Sequence, residues 1–118
     1  MAGGISLHAV DVASGQPAAG MAVDVVALGE DGERLLTRGT LGPGGALDDA
    51  LARGQVPVAS GPHEARFRVG DWLRSRDPGC GRVFMEVAVF RFEVLDPSQH
   101  VHLPLKFSRW GLALFRGS

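Results

Sequence analysis

At 118 residues, with 45% hydrophobic and 21% charged side chains, the chain has the size and composition of one globular domain able to bury a core without metal or disulfide. Lysine and arginine number 12 against 13 acidic residues, which leaves no positive surplus for a phosphate backbone and argues against nucleic acid as a partner. No run approaches the roughly 20 apolar residues that cross a bilayer. Met1-Ala2-Gly3-Gly4 lacks the basic and apolar parts of a secretory signal, and Cys80 has no partner for an intramolecular disulfide. The expectation is a soluble, cytoplasmic protein without membrane contact.

Short apolar and β-branched segments recur between Gly, Pro and Asp punctuation, which predicts an all-β sandwich or barrel with helix as the minority element. The first strand is expected over Ile5 to Val12, where alternation puts Ile5, Leu7 and Ala9 on one face and Ser6, His8 and Val10 on the other. Ser14-Gly15-Gln16-Pro17 turns the chain toward a second strand, Met21 to Leu28. Glu30-Asp31-Gly32-Glu33 is an Asp-Gly turn, so a hairpin with Arg34 to Thr40 as its returning strand follows. Gly42-Pro43-Gly44-Gly45 cannot lie inside a sheet, and Ala46 to Ala59 has poor strand character, with a short helical turn expected around Asp48 to Leu51. Alternation resumes from Glu64 to Val69. Asp71 to Arg76 can make a short helix that Asp77-Pro78-Gly79 ends. In Glu86 to Val94, the strongest strand, Phe90, Phe92 and Val94 oppose Arg91 and Glu93. After the turn at Asp96-Pro97-Ser98 come Val101 to Phe107, where Pro104 implies a bulge or an edge position, and Trp110 to Phe115.

Few residues can carry chemistry. His100 and His102 lie two apart in a strand-like stretch and share a face, and His8 stands on a different strand that could come near them. Spacing alone favours partly exposed strand histidines without a role over a metal site, because no carboxylate or cysteine falls at zinc-ligand spacing near the pair. No metal and no cofactor are expected. Cys80, between two glycines, has no adjacent base and reads as an incidental thiol. The Gly-rich stretches lack the strand-to-helix setting and the lysine of a phosphate loop. Arg66, Arg68, Arg74 and Arg76 alternate with Glu64, Asp71 and Asp77, which reads as a solvated face.

The two ends of the chain are more specific. Ile5-Ser6-Leu7-His8-Ala9-Val10-Asp11, continuing to Gln16-Pro17-Ala18, resembles the opening strand and turn of 5-hydroxyisourate hydrolases. His100-Val101-His102-Leu103-Pro104-Leu105, then Ser108-Arg109-Trp110-Gly111 and the terminal Phe115-Arg116-Gly117-Ser118, are similar to that family's His-x-His-Val-Pro-Leu segment and closing Tyr-Arg-Gly-Ser. Gly39, Gly45, Asp71, Glu86 and Asp96-Pro97 line up between them, so the resemblance spans residues 1–118 as a single domain. It implies a transthyretin-like two-sheet antiparallel β-sandwich with one short helix. It also implies a homotetramer whose dimer-dimer interface holds the active sites in a channel, the channel in which transthyretin carries hormone. In the enzymes, a first-strand histidine, the second histidine of His-x-His, an arginine after the third strand and the Tyr-Arg-Gly-Ser terminus direct water at a ring carbonyl. The matching positions make His8 and His102 the catalytic candidates, with Arg116 and Ser118 supporting them.

The departures are as informative. Ala46 follows Gly45 where the family has its arginine, Phe115 replaces the tyrosine, and Leu112-Ala113-Leu114 stands in place of Tyr-Ser-Thr. The resemblance therefore implies a less polar channel walled by Ala46, Arg109, Leu112, Leu114 and Phe115. A guanidinium recognises planar anionic oxygens with two parallel hydrogen bonds, so its loss predicts a different, less polar small-molecule substrate unless Arg109 supplies the charge from a new direction. The expected activity is acid-base hydrolysis, ring opening or cyclisation of a small cyclic molecule, in specialised metabolism. The alternatives are hydrolysis of 5-hydroxyisourate in purine breakdown and a carrier without chemistry.

Overall fold

The computed structural model describes residues 3–117. Strand β1 (Ile5–Asp11) alternates buried Ile5, Leu7 and Ala9 with half-buried Ser6, His8 and Val10, as a period of two requires when one face meets a core. After the two-residue β2 (Gln16–Pro17), β3 (Ala22–Gly29) and β4 (Gly32–Thr40) form the expected hairpin, with Gly29 opposite Gly32. Next come β5 (Gly61–Phe67), helix α1 (Val69–Arg76), β6 (Ala88–Val94), β7 (Val101–Phe107) and β8 (Leu112–Leu114). Two four-stranded sheets result, in the orders β2-β1-β7-β8 and β4-β3-β5-β6. Each is apolar on one face, and the two faces close on a core that includes Leu7, Met21, Val25, Phe67, Leu105 and Phe107. This is the two-sheet sandwich that the resemblance implies. One ladder departs from the antiparallel expectation: β1 and β7 run parallel, with Ser6 opposite His102 and His8 opposite Pro104.

Two local readings change, while the helical turn expected around Asp48 to Leu51 is present at Asp49 to Gly54: the Arg53 N–H donates to the Asp49 carbonyl at 3.1 Å, the Asp49 carboxylate accepts the Ala52 N–H at 3.0 Å, and Leu51 is buried. The strand expected from Glu86 starts at Ala88, because the Glu86 carbonyl accepts the Gly70 N–H of α1 at 2.9 Å and its carboxylate pairs with Arg74 at 2.7 Å. Pro104 makes neither a bulge nor an edge. β7 has β1 on one side and β8 on the other, and its missing N–H coincides with a gap in the second ladder. That ladder stops at Leu114, opposite Leu105, and resumes in the same register at Gly117, opposite His102. The gap lets Phe115 and Arg116 pass the proline unpaired. Among the described residues no helix is long and apolar enough to cross a membrane.

Candidate functional site

The parallel register of β1 on β7 brings Ser6, His8, His102 and Pro104 to the outward face of the first sheet. The loop after β4 reaches this face from the other side of β1. The Ala9 N–H donates to the Gly45 carbonyl at 2.9 Å, and Ala46 pairs with His8 as an isolated bridge. Gly45 makes that approach possible: its φ is 82°, and a Cβ there would lie 2.6 Å from the Ala9 carbonyl oxygen. Beyond the proline gap, the Gly117 N–H donates to the His102 carbonyl at 2.7 Å, and a Cβ on Gly117 would lie 2.8 Å from His102 Cδ2. Only a glycine lets the chain end lie flat against that imidazole.

Hydrogen bonds fix the two rings. His8 Nε2–H donates to the Gly44 carbonyl at 3.0 Å, which leaves Nδ1 as the lone-pair nitrogen of the neutral ring. His102 Nδ1 is 2.7 Å from Ser6 Oγ. The two ring centroids are 6.4 Å apart and the planes tilt by 39°. His102 has a pKa below the ordinary histidine value, chiefly because burial disfavours the charged ring and secondarily because the His8 and His100 imidazoles repel that charge. The His102 ring is thus unprotonated near neutral pH, the state a general base needs. His100 commits both ring nitrogens, to Ser6 Oγ at 2.8 Å and to the Gly3 carbonyl at 2.6 Å. Among the described residues no group of three or more metal-ligating side chains comes together.

The HIUase/Transthyretin family model matches residues 5–117. The chain belongs to the HIUase/transthyretin family. A 5-hydroxyisourate hydrolase of Halalkalibacterium halodurans is 36% identical over 120 residues that cover all of both chains. Among solved structures, (S)-allantoin synthase superposes with a TM-score of 0.84 at 25% identity, covering 99% of this chain and 44% of that one. Transthyretin from Sparus aurata superposes with a TM-score of 0.81 at 19% identity, covering 96% of this chain and 95% of the other.

Against this family frame, the remaining candidates separate by strand parity. Ala46 is exposed beside His8, and Phe115 lies on the histidine face, where its ring sits 5.8 Å from Lys106 Nζ. Leu112 and Leu114 pair with Phe107 and Leu105, both buried, so they turn to the inter-sheet side, away from the histidines. Arg116 also points away: its guanidinium lies 3.4 Å from Gln99 Oε1 and from the His100 carbonyl, at the rim of a cleft between the sheets lined by Phe90, Phe92 and Leu103. Arg109 pairs with Asp77 at 3.3 Å beyond the far end of β7. The five residue steps from His102 to Phe107 alone span about 17 Å of strand, so within one chain Arg109 does not reach the histidines. Ser118 lies outside the described residues. Two groups on the face were not singled out from the sequence. Ser6 bridges His100 and His102, and Lys106, the chain's single lysine, shares the parity of His102 and Pro104 and pairs with Val10. Counting by twos from His8 and His102 along their strands finds both.

Proposed function

We propose that this protein is a hydrolase of the hydroxyisourate-hydrolase type that opens or closes the ring of a small cyclic substrate less polar than 5-hydroxyisourate. The observation that carries this reading is a pair of imidazoles 6.4 Å apart, on a face where alanine, not a guanidinium, stands beside His8. The full-length likeness to an enzyme named 5-hydroxyisourate hydrolase supports the reaction class. Within its own chain Arg109 pairs with Asp77 and brings no charge to the histidines, which supports the change of substrate.

His8 Nδ1 and His102 Nε2 have no partner among the described residues, and a water between them can donate one hydrogen to each, leaving its lone pairs for a carbonyl carbon. His102 Nε2 takes a proton as the water oxygen bonds to that carbon. The ring carbon–nitrogen bond then breaks, and the proton passes from His102 to the departing nitrogen. A positioned acid-base group of this kind contributes roughly 10²–10⁴ in rate. The pair lies on an open sheet face, and the family resemblance adds to this reading a homotetramer in which another copy covers the site and excludes bulk water.

A second reading, hydrolysis of 5-hydroxyisourate itself, is favoured by Lys106, which puts one ammonium on the histidine face. Ultraviolet decay of freshly made 5-hydroxyisourate, with wild type beside His102→Ala, separates the two. The proposed reading expects decay no faster than without protein, and His102-dependent turnover of neutral cyclic imides or lactams. Rapid decay that vanishes in His102→Ala establishes the second reading. Ligand binding without turnover, unchanged in His102→Ala, would overturn both in favour of a carrier.

A further inference from the structure

Three polar groups form a single file leading away from His102. His102 Nδ1 is 2.7 Å from Ser6 Oγ, Ser6 Oγ is 2.8 Å from His100 Nε2, and His100 Nδ1 is 2.6 Å from the Gly3 carbonyl oxygen. The direction of every bond follows from the last. A carbonyl only accepts, so His100 carries its proton on Nδ1, and in the neutral ring Nε2 is a bare acceptor. The Ser6 hydroxyl must then donate to His100. With its only hydrogen committed, Ser6 can only accept from His102, which therefore carries its proton on Nδ1 and keeps its lone pair on Nε2. With both rings neutral, no other assignment satisfies all three bonds.

The end of this file is held firmly. The Gly3 N–H donates to the Pro97 carbonyl and the Val101 N–H to the Gly4 carbonyl, both at 3.0 Å. A Cβ on Gly3 would lie 2.1 Å from the Gln99 carbonyl carbon, so the N-terminal segment lies directly on the turn that leads into His100. We propose that Ser6 and His100 are positioning residues that lock His102 in the Nδ1–H tautomer and thereby reserve Nε2 as its basic nitrogen. A histidine side chain in water favours the opposite tautomer, so the lock selects the form that its surroundings must supply. The arrangement is the orienting arm of a base-orienter pair, built here from neutral groups rather than a carboxylate.

This inference rests on the reading of His102 as the base, but its test needs no substrate and can fail separately. The full-length protein, labelled with ¹⁵N in histidine, is examined by long-range proton–nitrogen correlation at pH 8.5, above the usual histidine range near 6.5. Wild-type His102 is expected to show a protonated Nδ1 and a bare Nε2, and Ser6→Thr to show the same. Ser6→Ala should shift His102 predominantly to the Nε2–H form. His100→Phe is the discriminating variant: it keeps Ser6 beside His102 but frees the hydroxyl to donate, and the tautomer should again move to Nε2–H. A wild-type His102 found as Nε2–H, or a tautomer unmoved by His100→Phe, overturns the proposal.

Discussion

The two outward sheet faces of this molecule both carry polar residues, yet they use them in opposite ways. On the β4-β3-β5-β6 sheet, Asp24 (2% exposed) and Glu64 (7% exposed) are covered by arginine side chains. Arg66 pairs with Asp24, Glu33 and Glu64, Arg68 with Asp24, and Arg91 with Glu64. Hydrogen bonds from Arg66 hold the Glu33 and Glu64 carboxyls below their usual range, and those carboxylates raise the guanidinium in return. The histidine face of the other sheet carries three imidazoles, a hydroxyl and one ammonium, with ring nitrogens that find no protein partner among the described residues. A network whose charges answer one another is structure, whereas lone pairs held in place without a partner are capacity for chemistry.

Variants on the two faces should therefore fail differently. His102→Ala is expected to lower turnover by roughly 10²–10⁴ while leaving the melting temperature within a degree or two, since the ring is only half-buried. Arg66→Ala should do the reverse. Abandoning a buried charge costs roughly 3–5 kcal/mol, but Arg68 and Arg91 still serve Asp24 and Glu64, so about 2 kcal/mol is expected. Urea denaturation and steady-state rates on the same two proteins check both; a loss of turnover in folded Arg66→Ala would break the division between the faces.

Gly117→Ala tests how the histidine face is assembled. The added methyl would meet His102 Cδ2 at 2.8 Å, and that ring cannot swing freely because Ser6 holds its Nδ1. The ring must tilt or the chain end must lift, and a displacement of this kind should cost about tenfold in kcat with little change in stability. Unchanged kcat would mean that the terminal segment does not seat His102.

The same residues show how far sequence carries. Alternation in Ile5–Asp11 and Ala88–Val94 is legible because one face of each strand is buried, and the burial follows the period of two. The parallel pairing of β1 with β7 was not legible, since it joins residues nearly a hundred positions apart and depends on how the sheets close. Yet that register is what places Ser6 beside His102. His8 and His102 stood out by residue type and by family pattern, whereas Ser6 and Lys106 belong to common types whose importance lies only in the face they share. Arg109 lies close in sequence to the family-like ending, but the β7–β8 turn carries it to Asp77, away from the histidines of its own chain.

Acid should strip the two faces in sequence. His102 lies below the ordinary histidine value of 6.5, so the folded protein resists protonating it. The stability it contributes is present above 6.5 and is lost as pH falls through the lowered folded value, and turnover falls through the same window, about tenfold per pH unit beyond it. The groups facing His102 are His8 on β1, His100 before β7 and, farther along β7, Lys106. Glu33 and Glu64 lie below 4.5, so their contribution persists until pH falls through a lower range. Activity should therefore fall in acid below 6.5 while circular dichroism still reports a folded protein. An acid limb above 6.5 would contradict the assignment of His102 as the base.

The smallest expected effect is the most informative about substrate. Lys106 is, among the described residues, the one cation that strand parity puts on the histidine face, paired with Val10 and resting 5.8 Å from the Phe115 ring. Its side chain is exposed, and an exposed ion pair is worth about 0.2–1 kcal/mol, a factor of about five at most in affinity. For a neutral substrate, Lys106→Met should leave KM and kcat almost unchanged at every salt concentration, because no charge on the substrate answers the ammonium. For an anionic, urate-derived substrate, KM should rise up to fivefold, and added salt should erase the difference by screening the pair in the wild type. A salt-dependent rise would show that the lysine on β7 supplies the charge that Ala46 cannot, and that the substrate is more polar than the alanine suggests.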